Sequence, residues 1–476
     1  MASIRTSRAD VIWNYVGTVV SMASGFVLLP LLMRFLTPDE LGLWYVFVAV
    51  SNLAMLFEFG FNPTFARNIV YVVSGARRLT REGCDFDSVE AGIDWHLLKT
   101  VIRASRLVYA AIAVAVALAL STLGTLYVGA VSSQVPGVSR WVSWAVFVVS
   151  VFLNLYFLYS ITLLRGYGDV AGENRAKTFA RLAQLAVSAL LMLAGWGLVG
   201  ASLGYLANGV LLRVFASLQL RRHDDVRAGL ASDRSAVTAI EVRAVLATVG
   251  HVAWRDGLVQ LACYASTQAM SIVGSLTLGL AETGTYSVLL QFGNAVYNFA
   301  GAYPKSFFPA FQAAHASHDI ARQREIVSEG VVAYWSLFMV GVAGVALAVM
   351  PLLPLVKEGF TPDLPLFLAL CLYLGLWNQH SIFCNYIVGM NEIPYVRGYV
   401  LAALVGAPLS YVLSGPFGWG AWGLVAGQAL SQAAYNNWRW PMYLAGRLDV
   451  SYRWLLRRGV DAWSARLRRR GKVNSV

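Results

Sequence analysis

A chain of 476 residues that is 58% hydrophobic and only 13% charged, with a mean hydropathy of +0.59, is too poor in charge for a soluble protein, in which about a quarter of residues are charged. Apolar runs of about 18 residues or more recur along it, which points to a polytopic membrane protein. The net charge of +12 would suit nucleic acid, but the placement of the charges argues against that partner.

The first apolar stretch, near 11–35, is too long for a signal-peptide core and ends in no small-residue cleavage site, so it is expected to stay as the first span. Eleven more follow at roughly 41–73, 101–128, 141–166, 176–196, 199–220, 246–278, 284–310, 328–353, 364–389, 394–414 and 420–444. With the N-terminus inside, only Arg34, Arg140 and Lys357 of the 37 basic residues fall on outer loops or their flanks. That asymmetry is the positive-inside pattern and fixes an N-in, C-in orientation. The tail "YRWLLRRGVDAWSARLRRRGK" spaces Tyr452, Leu455, Leu456, Val460, Trp463 and Leu467 helically among arginines. It reads either as an amphipathic helix on the anionic inner leaflet or as a solvated basic tail. Cys84, Cys263, Cys371 and Cys384 show no paired spacing and read as small apolar residues, and no metal site is expected.

An internal repeat runs through the chain. "RFLTPDELGLWYVFVAVSNL" (34–53) aligns with "LTLGLAETGTYSVLLQFGNAV" (276–296) at a shift of 242 residues, which puts Pro63 next to Pro304. "GWGLVGA" (195–201) resembles "AWGLVAG" (421–427), and "LLRGYGD" (163–169) resembles "IVGMNE" (387–392). The expected fold is therefore all-α: twelve transmembrane helices in two parallel-repeat six-helix bundles around a central cavity. The boundaries are 1–222 for the N-terminal bundle, 223–245 for a cytoplasmic linker, 246–446 for the C-terminal bundle and 447–476 for the basic cytoplasmic tail. In transporters built this way the substrate sits between the halves, which rock against each other.

The opening of the chain, and above all "NYVGTVVSMASGFVLLPLLMRFLTPDELGLWYVFVAVSNLAMLFEFGFNPTFAR", resembles the polysaccharide-type transporters. These are the Wzx-like lipid-linked oligosaccharide flippases of the multidrug/oligosaccharidyl-lipid/polysaccharide exporter superfamily. The pattern falls on Asn14, Gly17, Pro30, Leu36, Glu40, Gly42, Leu43, Trp44, Glu58, Gly60 and Arg67. The motif match covers mainly residues 10–70, and the topology matches throughout. The resemblance implies movement of an undecaprenyl-pyrophosphate-linked oligosaccharide from inner to outer leaflet of the cytoplasmic membrane. It also implies membrane lipids, a polysaccharide polymerase and glycosyltransferases as partners. The polar residues of the second-half helices depart from the pattern, so no cavity residue is carried over there.

Charged residues within spans mark functional sites or buried pairs. At about 1.5 Å per residue, Glu58 and Arg67 lie in the inner half of the second span and at its inner edge. Lys305 mirrors Arg67 in the eighth span, while Arg255 and Asp256 lie near the inner start of the seventh and Arg213 lies in the sixth. Arg67, Arg255, Lys305 and Arg213 are candidate pyrophosphate ligands, because both kinds of cation give charge-assisted donors and the guanidinium fork of arginine contacts phosphate bidentately. Glu58 and Asp256 would hold these cations in the empty site. Each has a structural reading too: Arg67 and Lys305 as interface anchors, Glu58 as a fold-locking partner, and one of Arg255 and Asp256 as a packing residue. Pro30, Pro63 and Pro304 are candidate hinges. No catalytic signature, cofactor motif or phosphate-binding Gly-Lys-Ser/Thr loop is present, so no enzyme is expected. The alternatives are a cation-coupled multidrug exporter of the same superfamily and, less well supported, a membrane-bound glycan polymerase or ligase.

Overall fold

The computed structural model describes residues 8–58, 61–73, 75–80, 83–85, 93–316, 318–357, 360–390, 392 and 394–473, some of them, 250–260 included, by backbone alone. The chain divides into two compact units, Met1–Leu261 and Ala262–Val476.

Unit 1 holds helices α1 (Arg8–Phe35), α2 (Pro38–Leu56), α3 (Phe61–Val73), α4 (Trp95–Val131), α5 (Gly137–Gly166), α6 (Val170–Leu193), α7 (Gly197–Leu220) and α8 (Asp224–Ser232). A short antiparallel hairpin, β1 (Arg78–Thr80) with β2 (Gly83–Asp85), follows α3. Helix α9 (Ala239–Thr267) carries the chain into unit 2. There follow α10 (Met270–Thr277), α11 (Leu280–Ser306), α12 (Phe308–Ala316), α13 (Ile320–Val356), α14 (Leu364–Gly389), α15 (Val396–Ser414), α16 (Gly420–Ala433), α17 (Asn436–Arg447) and α18 (Tyr452–Val473). Among the described residues, α2, α4, α5, α6, α7, α13, α14 and α15 are long and apolar enough to cross a membrane. The chain is a multi-pass membrane protein built almost entirely of helices. The remaining predicted spans fall on α1, on α9 with α10, on α11 with α12, and on α16 with α17.

The two units repeat one plan in detail. The third long helix of each, α4 and α13, is 37 residues long. Each is capped by an aspartate, with Asp94 accepting from the Leu97 amide and Asp319 from the Arg322 amide, both at 2.9 Å. Each carries one π turn in its last third, Leu120–Gly124 and Val345–Val349. The sequence pairing of 195–201 with 421–427 is out of step by three residues. The matching turns are Gly195-Trp196-Gly197, with φ +86° and +45° at its glycines, and Gly418-Trp419-Gly420, with +71° and +56°. Only glycine takes these left-handed angles freely, which is why both turns carry the same residues. Each turn joins a tightly packed hairpin, α6–α7 or α15–α16. A Cβ on Gly204 would sit 1.8 Å from Ser188 Oγ, and one on Gly427 would sit 2.4 Å from the Ser410 amide nitrogen. The small residues let the backbones touch, as membrane helix pairs require.

The predicted linker and tail are also counterparts. Gly229 of α8 lies on Trp95, where a Cβ would come within 2.2 Å of the ring, and Gly459 of α18 lies on the Ser328 carbonyl at the same spacing. Each appended helix therefore docks on the first turns of the third long helix of its unit. The segment 223–245 is not a free connector. Lys99 Nζ donates to the Asp233 and Ser235 carbonyls at 3.0 and 2.9 Å, His96 bridges Asp233 and Glu241, and Arg103 donates to the Val237 carbonyl. These contacts hold it to α4, and the boundary between units falls later, inside α9. In the tail, Leu455 is fully buried, Tyr452 Oη donates to Gln379 Oε1 at 3.0 Å and Trp463 Nε1 to the Glu329 carbonyl at 3.2 Å. The apolar face expected on the lipid surface is thus largely spent on α13 and α14, while Trp454 and Val460 stay exposed.

The predicted second span, 41–73, is two helices. Thr37 opens α2 with a capping box: its Oγ1 accepts from the Glu40 amide at 3.2 Å and Glu40 Oε2 accepts from the Thr37 amide at 3.1 Å. The helix stops after Leu56, and Pro63 is the third residue of α3, where a missing N–H costs nothing. Pro63 therefore starts a helix instead of bending one. Pro30 and Pro304 do lie inside helices, α1 and α11.

Candidate functional site

Helix α6 begins at Asp169, whose Oδ1 accepts from the Gly172 amide at 2.7 Å. Its residues Glu173, Lys177, Arg181, Gln184 and Ser188 recur every three or four positions and so share one face. Glu173, only 3% exposed, sits at the head of that face. Its Oε2 accepts from Arg165 Nε of α5 at 3.0 Å, and its Oε1 takes both Arg165 Nη2 and Lys177 Nζ. One buried carboxylate thereby anchors two cations whose side chains remain about two-fifths exposed, 42% for Arg165 and 38% for Lys177. They are held in place but still open to a ligand.

Glu58 belongs to the same cluster. It lies in the break between α2 and α3, accepts from the Asn62 amide at 2.9 Å and from Tyr109 Oη at 3.2 Å, and lies within Coulombic reach of Arg165 and Lys177. Tyr109 is fully buried, 3.4 Å from Thr162 Oγ1. Glu58 therefore finds its partners on α4, α5 and α6. The Arg67 guanidinium is not among them.

Two turns further along α6, Arg181 Nη1 donates to Gln184 Oε1 at 2.9 Å. No carboxylate lies within ion-pair distance of it among the described residues. Its other polar neighbour is Tyr205 of α7, which hydrogen-bonds Ser51 of α2 and stacks on Phe147 at 5.5 Å. On the α1 side, Arg175 lies 5.1 Å from the Trp13 ring centroid. A Cβ on Gly17 would come within 2.7 Å of Asn174 Oδ1, so that glycine brings α1 against α6. Four cations (Arg165, Arg175, Lys177, Arg181) thus accompany two carboxylates (Glu58, Glu173) on and around one helix. The surplus is positive by two charges and falls on Arg175 and Arg181, neither of which meets a carboxylate among the described residues. Such an arrangement receives a multiply charged anion with charge-assisted hydrogen bonds.

The other predicted site residues separate. Arg67, on α3, is exposed and meets no carboxylate among the described residues. Lys305, in the last turn of α11, is also exposed and without an ion pair there. Arg213 lies over the Phe157 and Tyr159 rings, 5.8 and 5.4 Å from their centroids, in a different cleft of unit 1. Arg255 and Asp256 fall in α9, and their side chains lie outside the described residues. Sequence reasoning passed over Arg165, Glu173 and Lys177, because "LLRGYGDVAGENRAK" reads as an inner loop leading into a span. The four-residue spacing of Glu173, Lys177 and Arg181 is the signal that would have found them.

No protein-family model matches the chain, and no curated protein sequence does. Solved structures do. An inward-facing multidrug resistance MATE family transporter of the MOP superfamily superimposes with a TM-score of 0.65 at 15% identity, covering 91% of this chain and 95% of that one. The lipid II flippase MurJ, in an inward closed conformation, gives 0.63 at 10% identity, covering 96% of this chain and 91% of that one. An outward-facing MATE family transporter gives 0.56 at 15% identity, covering 92% and 96%. The chain has the fold of these transporters. At such low identity the likeness concerns the path of the backbone alone, and the chemistry has to be read from the side chains on α6.

Proposed function

We propose that the chain is a transporter that moves a lipid-linked, phosphate-bearing substrate between membrane leaflets. In the Wzx-like reading the cargo is an undecaprenyl-pyrophosphate-linked oligosaccharide, carried from inner to outer leaflet of the cytoplasmic membrane. The observation that supports this most is Arg181, a half-buried guanidinium with an amide and a phenol for neighbours and no acid among the described residues. A cation in that setting gains from an anionic guest, and desolvation strengthens the contact. Arg165 and Lys177, pre-positioned by Glu173, supply further donors. Transport would proceed by alternating access between two six-helix bundles, N-in and C-in, with a polysaccharide polymerase and glycosyltransferases working on the same glycan.

One observation favours the second reading, cation-coupled export of cationic compounds. Glu58 is a partly buried carboxylate within the predicted second span, the kind of acid that a cationic guest would pair with. The two readings divide in proteoliposomes. The flippase reading expects time-dependent translocation of a fluorescent undecaprenyl-pyrophosphate glycan and no accumulation of ethidium. Gradient-driven ethidium uptake without glycan translocation would replace it with the exporter reading.

A further inference from the structure

A second arginine cluster lies elsewhere in unit 1. A cleft of about 590 Å³ opens between α4, α5, α7 and α8, lined by Arg106, Tyr159, Arg213, Arg221 and Arg227. Arg106 and Arg213 both lie against the Tyr159 ring, 5.1 and 5.4 Å from its centroid. None of the four guanidinium groups meets a carboxylate among the described residues. The acid closest in sequence to Arg227, Asp225, is engaged by Tyr167 Oη at 2.5 Å. Four like charges in one cleft repel each other, and the aromatic ring offsets only part of that cost. The lining has the donors for a phosphate group and no acid to compete with it.

The surroundings select which phosphate. Along α7 the exposed apolar residues Val210, Val214 and Leu218 repeat every fourth position, forming a stripe that runs to the cleft, and Leu107 and Val114 are exposed on α4. Such faces meet hydrocarbon in a multi-pass membrane protein. Basic pockets between helices at the membrane surface bind anionic headgroups. We propose that this cleft is a binding site for the phosphate headgroup of an anionic phospholipid, with the acyl chains lying along the Val210–Val214–Leu218 stripe. The site is separate from the α6 cluster and does not depend on what that cluster carries.

The test is native mass spectrometry of the purified full chain with phosphatidylglycerol and phosphatidylcholine. The wild type is expected to retain phosphatidylglycerol in preference to phosphatidylcholine. The R106Q/R221Q pair, both exposed residues, is expected to lose about tenfold of that retention or more. The R77Q/R78Q pair removes the same charge elsewhere in unit 1 and is expected to retain it. Equal loss in both pairs would reduce the effect to net charge and overturn the site. Equal retention of the two lipids would overturn the headgroup assignment. Displacement of the lipid by millimolar pyrophosphate would assign the cleft to a soluble phosphate and overturn the lipid.

Discussion

In unit 1 the face of α6 that ends on Ser188 reads Glu173, Lys177, Arg181 and Gln184; in unit 2 the matching positions are Tyr395, at the cap of α15, then Tyr399, Ala403 and Gly406, ending on Ser410. The register is fixed by contact. Gly204 lies on Ser188 and Gly200 on Leu191 and Met192, just as Gly427 lies on Ser410 and Gly423 on Leu413 and Ser414. The same hairpin is thus built twice by the same close approach, then filled with charge in one copy and with aromatic and small residues in the other. Among the described residues of unit 2 the buried polar groups are neutral: Gln432 donates to Ser266 Oγ at 3.0 Å, Asn436 to Gln432 at 2.8 Å, and His380 meets Asn437 at 2.9 Å. Repeated geometry belongs to the frame. The charge present in one copy alone is what the proposed function rests on.

The comparison can be tested from the frame outward. Gly204→Val and Gly427→Val should each cost about 3 kcal/mol, because both force apart backbones in contact. Thermal unfolding in detergent should show similar losses, and tolerance of one of them would show the hairpins are not equivalent. Glu173→Gln should cost about 2 kcal/mol, discounted for the partial exposure of its two cations. A smaller effect separates the two docked helices. Asp233 is held well below the usual carboxylate range by the Ser235 hydroxyl and amide, and Glu241 is lowered by the Thr238 amide and hydroxyl. A depressed carboxylate contributes stability that is complete above its unfolded value, about 4, and is lost as the pH falls below it. Hydrogen exchange, corrected for intrinsic rate, should therefore show 224–232 loosening below about pH 4 while 452–463, docked through Leu455, stays protected. Loosening of both segments together would show that acid acts on the whole fold.

Much of the frame was legible in the sequence, because spans are long apolar runs and glycine turns are local. The break after Leu56 was written there as well, in Gly60 and Pro63, but a hydropathy run does not register an interruption of four residues. The tail shows the limit of pattern reading. Leu455 and Trp463 at helical spacing require an apolar partner, and only packing decides between lipid and the side of α13. For the site, Glu58 was visible as a charge in a span, whereas its neighbours Tyr109, Arg165 and Lys177 come from helices far along the chain. Arg213 was equally visible, but its environment of Tyr159 and further arginines was not. Depth counting ranks residues along a helix axis and leaves their direction around it open.

The central proposal is that Arg181, which meets no carboxylate among the described residues, receives the phosphate of a lipid-linked substrate. The direct measurement is the translocation rate of an undecaprenyl-pyrophosphate glycan in proteoliposomes bearing Arg181→Gln at matched, folded protein level, with Arg181→Lys alongside. Loss of one charge-assisted contact of about 1.5–3 kcal/mol predicts a fall of about tenfold or more for glutamine and partial recovery with lysine. An unchanged rate in the glutamine variant would contradict the account.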